Sequence, residues 1–134
     1  MPAHARHAIS QSEAHDLTLD VARSRLEVIA EQLQSVLTQK LTAYLVSLSD
    51  GRDIGRYARG ERKPHPSTQM KLRHLFSLVS LMMESEDRDT VQVWFMGRNP
   101  ELDDQSPASL LHQDFNENFL QVRDAAKKFL STGE

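Results

Sequence analysis

Three arginines, Arg52, Arg56 and Arg59, recur at steps of four and three residues, and Arg62 and Lys63 follow directly. On a helix this spacing lines up three guanidinium groups along one face. A guanidinium fork can bond a guanine edge in the major groove, while flanking cations bond phosphates. The chemistry within reach is recognition of a polyanion. The same spacing also fits a solvated basic face, which is common on helical proteins.

A second group of candidates runs through Trp94, Arg98, Asn99, Pro100, Glu101, Leu102, Asp103 and Asp104. Asn99-Pro100 predicts a rigid turn in which the asparagine side chain bonds nearby backbone. Trp94 is the one tryptophan. It reads as a core anchor, because so large an aromatic usually buries most of its area. Arg98, Glu101, Asp103 and Asp104 are then the side chains left to touch a partner. An acidic loop of this kind complements a basic pocket.

Catalysis is not expected. The 134 residues contain no cysteine, which removes disulfides, thiolate nucleophiles and cysteine-bound zinc. Absence of cysteine also fits a reducing cytoplasm. No glycine-rich phosphate loop and no zinc-type histidine spacing occurs. His4, His7 and His15 lie in residues 1–16, a stretch poor in apolar side chains that reads as a disordered tail rather than a metal tract. His65, His74 and His112 stand alone. The expectation is no catalytic residue, no metal and no cofactor.

These candidates need elements to hold them. Leu19, Ala22, Leu26, Ile29, Leu33 and Val36 recur at steps of three and four and predict a helix over 18–37. Two short helices, 39–46 and 50–59, follow around a Ser/Asp/Gly turn, with Ser49 or Asp50 as cap and Gly60 as a left-handed stop. After a loop holding Pro64 and Pro66, the series Leu72, Leu75, Phe76, Val79, Met82, Met83 predicts a long helix. Residues 90–96 fit a strand by alternation and a helix by triplet spacing; Gly97 and Pro100 favour a short helix. Ser106-Pro107 opens another helix. Phe115, Phe119, Val122, Ala126 and Phe129 carry the last one, with Lys127 and Lys128 suited to its dipole. The reading is an all-α chain of about six or seven helices. It divides into a tail at 1–16, a helical core at 17–84 holding a helix-turn-helix at about 39–60, and a C-terminal helical region at 85–134. Met1 to Gln11 has no apolar leader core, and no apolar stretch is long enough to span a membrane. A cytoplasmic protein is expected.

The net charge of -3 hides an uneven distribution. Residues 50–74 hold seven basic and three acidic side chains, whereas residues 75–134 hold five basic and eleven acidic ones. A basic centre is joined to an acidic C-terminal part, so two partners of different character are expected.

Two stretches resemble a known family. Leu41-Thr42-Ala43-Tyr44-Leu45 with Asp50 to Glu61 looks like an Xre-type helix-turn-helix. Val93-Trp94-Phe95-Met96-Gly97-Arg98-Asn99-Pro100-Glu101-Leu102, followed by Ser106-Pro107, resembles the C-terminal signature of the Xre/MbcA/ParS antitoxins. The resemblance spans about residues 20–130. It departs from the family pattern at His112-Gln113-Asp114, where a glycine is frequent. It implies an all-α antitoxin, without enzyme activity, that covers the active site of a NAD-consuming RES-domain toxin. It further implies a homodimer, a higher-order complex with the toxin, and repression of its own operon through operator DNA. The toxin-binding residues would be those from Trp94 to Asp104 named above, and the DNA-binding ones Arg52, Arg56, Arg59, Arg62 and Lys63. The alternative is a stand-alone Xre-type regulator without a toxin.

Overall fold

The computed structural model describes residues 25–132. The expected tail at 1–16 and the expected start of the first helix at 18 lie outside them. Helix α1, residues 25–37, buries Leu26, Ile29 and Leu33 of the expected stripe together with Ala30 and Leu37, while the expected Val36 is half-buried. It ends at Thr38, whose φ of 79° lies outside the helical region. Thr38 then caps α2 (Gln39–Leu45) by accepting from the Leu41 N–H. Thr42 is fully buried, and its hydroxyl lies 2.7 Å from the Thr38 carbonyl and 3.3 Å from that of Leu33. One buried hydroxyl thus serves the joint between two helices, as burial of a polar group requires.

The next two helix ends share one closure. At the end of α2, Leu48 N–H donates to Ala43 C=O and Ser47 N–H to Tyr44 C=O, with Ser47 at φ 61°. Helix α3 (Arg52–Ala58) ends with Glu61 N–H on Arg56 C=O and Gly60 N–H on Tyr57 C=O, with Gly60 at φ 72°. Both arrangements satisfy carbonyls that a helix end leaves free. Asp50 starts α3 by accepting from the Arg52 N–H at 2.9 Å.

Helix α4 (Pro66–Met83) buries Leu72, Leu75, Leu78, Val79 and Met82. The expected stripe differs at two positions: Phe76 is half-buried and Met83 is 38% exposed. Helices α5 and α7 pack against α4, and the buried stripe is the Leu72–Leu75–Val79–Met82 line. Residues 88–96 form a helix, α5 (Arg88–Met96), not a strand; Asp87 caps it by accepting from Thr90 N–H. Its Arg88 and Gln92 donate to Ser35 C=O and Val36 C=O, two last-turn carbonyls of α1. A single 3-10 turn, Pro100–Leu102, leads to α6 (Pro107–Gln113), which Ser106 caps. Asp114 accepts from Glu117 N–H at the start of α7 (Phe115–Thr132).

One buried cluster runs from Ile29 in α1 to Ala126 in α7. The fold is all-α, with seven α-helices and no strand among the described residues. Among those residues no helix is long and apolar enough to cross a membrane.

Gly60 has a checkable role. A Cβ there would lie 2.6 Å from a Glu27 carboxylate oxygen, at a backbone conformation L residues avoid. Gly60→Ala is expected to cost roughly 1–2 kcal/mol, and Gly60→Asn less, because asparagine tolerates the left-handed region. Urea denaturation of the three chains measures the order.

Candidate binding surfaces

Helix α3 presents its arginines already matched to carboxylates. Arg52 reaches both oxygens of Asp50, with its Nε and Nη2 each 3.1 Å away. Arg56 Nη1 lies 2.7 Å from Asp53 Oδ1, and Arg62 Nη1 lies 3.2 Å from the same oxygen. Arg59 Nε donates to Glu61 Oε2 at 2.8 Å. Lys63 is exposed and takes part in no ion pair among the described residues. The structure therefore gathers all five predicted cations near one short helix, together with three acids. Those acids stand two or three residues from Arg52, Arg56 and Arg59 in sequence. The Arg52–Asp50 and Arg59–Glu61 pairs are exposed and contribute little to stability, while Asp53 is the more enclosed acid. The pairs fix where the guanidinium groups point, and a phosphate can displace a carboxylate from them.

The second predicted group folds into a closed loop at 97–106. Asn99 organises it: its Oδ1 accepts from Glu101 N–H, its C=O accepts from Leu102 and Asp104 N–H, and its N–H donates to Gln105 C=O. Asp103 and Asp104 follow at φ 55° and 63°, two successive left-handed residues that turn the chain back. Aspartate is among the few side chains found in that region. Leu102 is buried, only 4% exposed, and pins the loop to the core. Trp94 is half-buried rather than a fully enclosed anchor, its ring edge-on to Phe95 and 6.2 Å from Phe129. Asn99, Leu102 and Trp94 thus build the loop and its bed, while Arg98, Pro100, Glu101, Asp103 and Asp104 face outward. Glu101 is tied to Lys128 of α7 at 3.1 Å.

Two features were not singled out from the sequence. Val93 and Met96 are 66% and 56% exposed on α5. Met96 lines an open groove of about 920 Å³ together with Leu41, Tyr44, Leu48 and Ala108. The signal was present: the run from Val91 to Met96 has more apolar residues than one helix face buries. His112 is the other. Its ring stacks on Tyr44 at 4.0 Å and 4°, and its Nδ1 lies 2.9 Å from the Tyr44 carbonyl, so that nitrogen carries the proton. Ser47 Oγ donates in turn to His112 C=O. Among the described residues no group of three His, Cys, Asp or Glu could hold a metal ion.

The ion pairs set the titration of the α3 face. The Arg52 side chain, bonded to Asp50, holds that carboxyl below its usual range, and Arg59 does the same to Glu61. A carboxyl whose folded value lies below its unfolded value favours the fold above about pH 4, and loses that contribution as pH falls through the folded value. Carboxyl NMR titration should find both midpoints depressed. Arg52→Gln should raise the Asp50 midpoint and leave that of Glu61 in place.

No protein-family model matches the chain, and no curated protein matches it in sequence. In structure it is similar to the MbcA antitoxin chain in the crystal structure of the M. tuberculosis MbcT–MbcA toxin–antitoxin complex. The TM-score is 0.60 at 22% identity, covering 77% of this chain and 94% of that one. The two chains share a fold.

Proposed function

We propose that this chain is an antitoxin: a non-enzymatic, dimeric protein that binds a RES-domain toxin, closes the toxin's NAD-consuming active site, and represses its own operon. The observation that carries the reading is the likeness to an antitoxin chain across 94% of that chain's length. The loop at 97–106 supports it independently. Internal hydrogen bonds and the buried Leu102 hold it in shape, so little conformational freedom is lost when a partner seats on it. It presents Asp103 and Asp104, whose charge suits a pocket built to hold a phosphate-bearing dinucleotide. Exposed Val93 and Met96, on the helix that leads into the loop, supply apolar area that a protein partner would cover.

The DNA half of the proposal rests on α3. Arg52, Arg56 and Arg59 would read base edges, while Arg62 and Lys63 would hold phosphates. A dimer would place two such helices on half-sites about 34–36 Å apart.

Co-expression with a RES-domain reading frame encoded beside this one tests the first half: the chain should rescue growth and co-purify with that product, and failure of both ends the antitoxin reading. Asp103→Lys with Asp104→Lys should weaken toxin binding by about tenfold or more through charge reversal, with the fold intact by circular dichroism. For the second half, the triple change Arg52→Ala, Arg56→Ala and Arg59→Ala should abolish operator binding and leave toxin binding unchanged. Each lost phosphate contact should lower the log–log salt slope by about 0.9.

A further inference from the structure

Helices α4 and α7 leave a second open groove, about 750 Å³, that shares no residue with the first. Its apolar lining includes Phe76, Leu81, Phe119 and Leu120, and Leu120 is 59% exposed. Met70, one turn before His74 on α4, is 54% exposed. The groove also holds a donor in want of an acceptor: Arg123 Nε is buried without a hydrogen-bond partner among the described residues.

Glu84, Arg123 and Lys127 are the charged residues in the groove's lining, and Arg73 stands next to it on α4. Arg73, Ser77, Ser80 and Glu84 follow at steps of four, three and four, so they form one row along α4. The row begins with a cation, ends with an anion, and has two small hydroxyl residues between. Neither Arg73 nor Glu84 takes part in an ion pair among the described residues. If a second α4 lies antiparallel on the first, with the two-fold axis midway along the row, Arg73 of each copy meets Glu84 of the other. Ser77 then faces Ser80, which lets the two backbones approach. A two-fold interface must be complementary to itself, and this row is. The helix has 18 residues and is about 27 Å long, which gives the contact the length of a stable helix pair.

We propose that the α4–α7 groove is the face through which two copies of this chain pair, with α4 antiparallel to α4 and crossed Arg73–Glu84 ion pairs. The pairing rests on the dimeric part of the reading above and adds the face to it. The second copy also covers Leu120 and Met70 and brings acceptors toward Arg123. This groove and the loop at 97–106 are separate, so pairing leaves the proposed toxin surface open.

Sedimentation equilibrium of the full chain tests the proposal, with charge reversals chosen so that they can rescue one another. The unmodified chain should be a dimer; if it stays a monomer at about 100 μM, a concentration at which any dissociation constant well below that value would show as dimer, the dimeric reading and this face both fall. Arg73→Glu puts Glu against Glu, and Glu84→Arg puts Arg against Arg. Each variant alone should raise the dimer dissociation constant about tenfold or more, because like charges are then opposed. Mixed in equal amounts, the two variants should form a heterodimer near wild-type affinity, since both crossed pairs become attractive again. Leu120→Asp should yield monomer while keeping the helical circular dichroism signal. A wild-type dimer that survives Leu120→Asp and both reversals dimerises elsewhere, which overturns the face and leaves the antitoxin reading standing. Weakening by the single reversals without recovery on mixing overturns the antiparallel register.

Discussion

The short helix α6 holds this structure together. Seven residues are too few for a helix to persist alone, so α6 exists because both its ends and its apolar side are supplied with partners. Ser106 caps it, Pro107 occupies its first turn without wasting a donor, and Leu110 and Leu111 are buried. In return it touches α2, α5 and α7. At its C-terminal end His112 stacks on Tyr44 and bonds the Tyr44 carbonyl, while Ser47 bonds back to His112. Asn118 of α7 donates to Leu110 C=O at 2.8 Å. The α2–α3 end of the chain and the C-terminal helix are thus fastened to the same seven residues. Loss of α6 packing would free both.

That seam also relates the two candidate surfaces. The loop at 97–106 is anchored at one end by α5 and at the other by Ser106, the cap of α6. Helix α3 is joined to α2, whose C-terminal turn is locked onto α6. A displacement of α6 would therefore move the loop and α3 relative to each other. Buried packing of this kind resists gradual deformation, so the geometry favours two rigid surfaces over one flexible one. The carboxylates on α3 act in the same sense: they hold the guanidinium groups at defined positions at little cost, since the pairs remain wet.

The helices were legible because amphipathic spacing and cap chemistry agreed. Ser106-Pro107 and Gly60 each occupy the position that their type predicts, whereas Asp50 stands one residue before the cap, Gly51, and still accepts from the Arg52 N–H. Residues 90–96 were resolved by the same logic, because Gly97 and Pro100 close a helix more readily than a strand. The misreadings come from packing that no local pattern encodes. Which residues of α4 are buried depends on where α5 and α7 lie, so Leu78 is inside and Met83 outside. Leu102 looked like a contact residue from its place in the motif, but the loop closes inward and buries it. His112 looked isolated because its partner, Tyr44, is 68 residues away in sequence. The ion pairs on α3 were open to reading, since each arginine of the helix has an acid within three residues; charge counting by segment concealed them.

The exposed apolar residues are informative because of how they are grouped. A folded surface always carries scattered apolar side chains, and those need no explanation. Here Tyr44 and Met96 line one groove, with Val93 one turn away on α5, and Leu120 lines the other, with Met70 one turn from it on α4. Short amphipathic helices make this arrangement affordable: each needs only one stripe inside a single shared core, and any apolar residue beyond that stripe must face outward. A chain selected only for its own stability would replace such residues with polar ones. The two apolar grooves have no residue in common, but the first reaches the cationic helix, since Asp50 and Arg52 are part of its lining. A molecule seated in the first groove and a polyanion on α3 would therefore both meet Arg52, whereas the second groove can be covered independently of either.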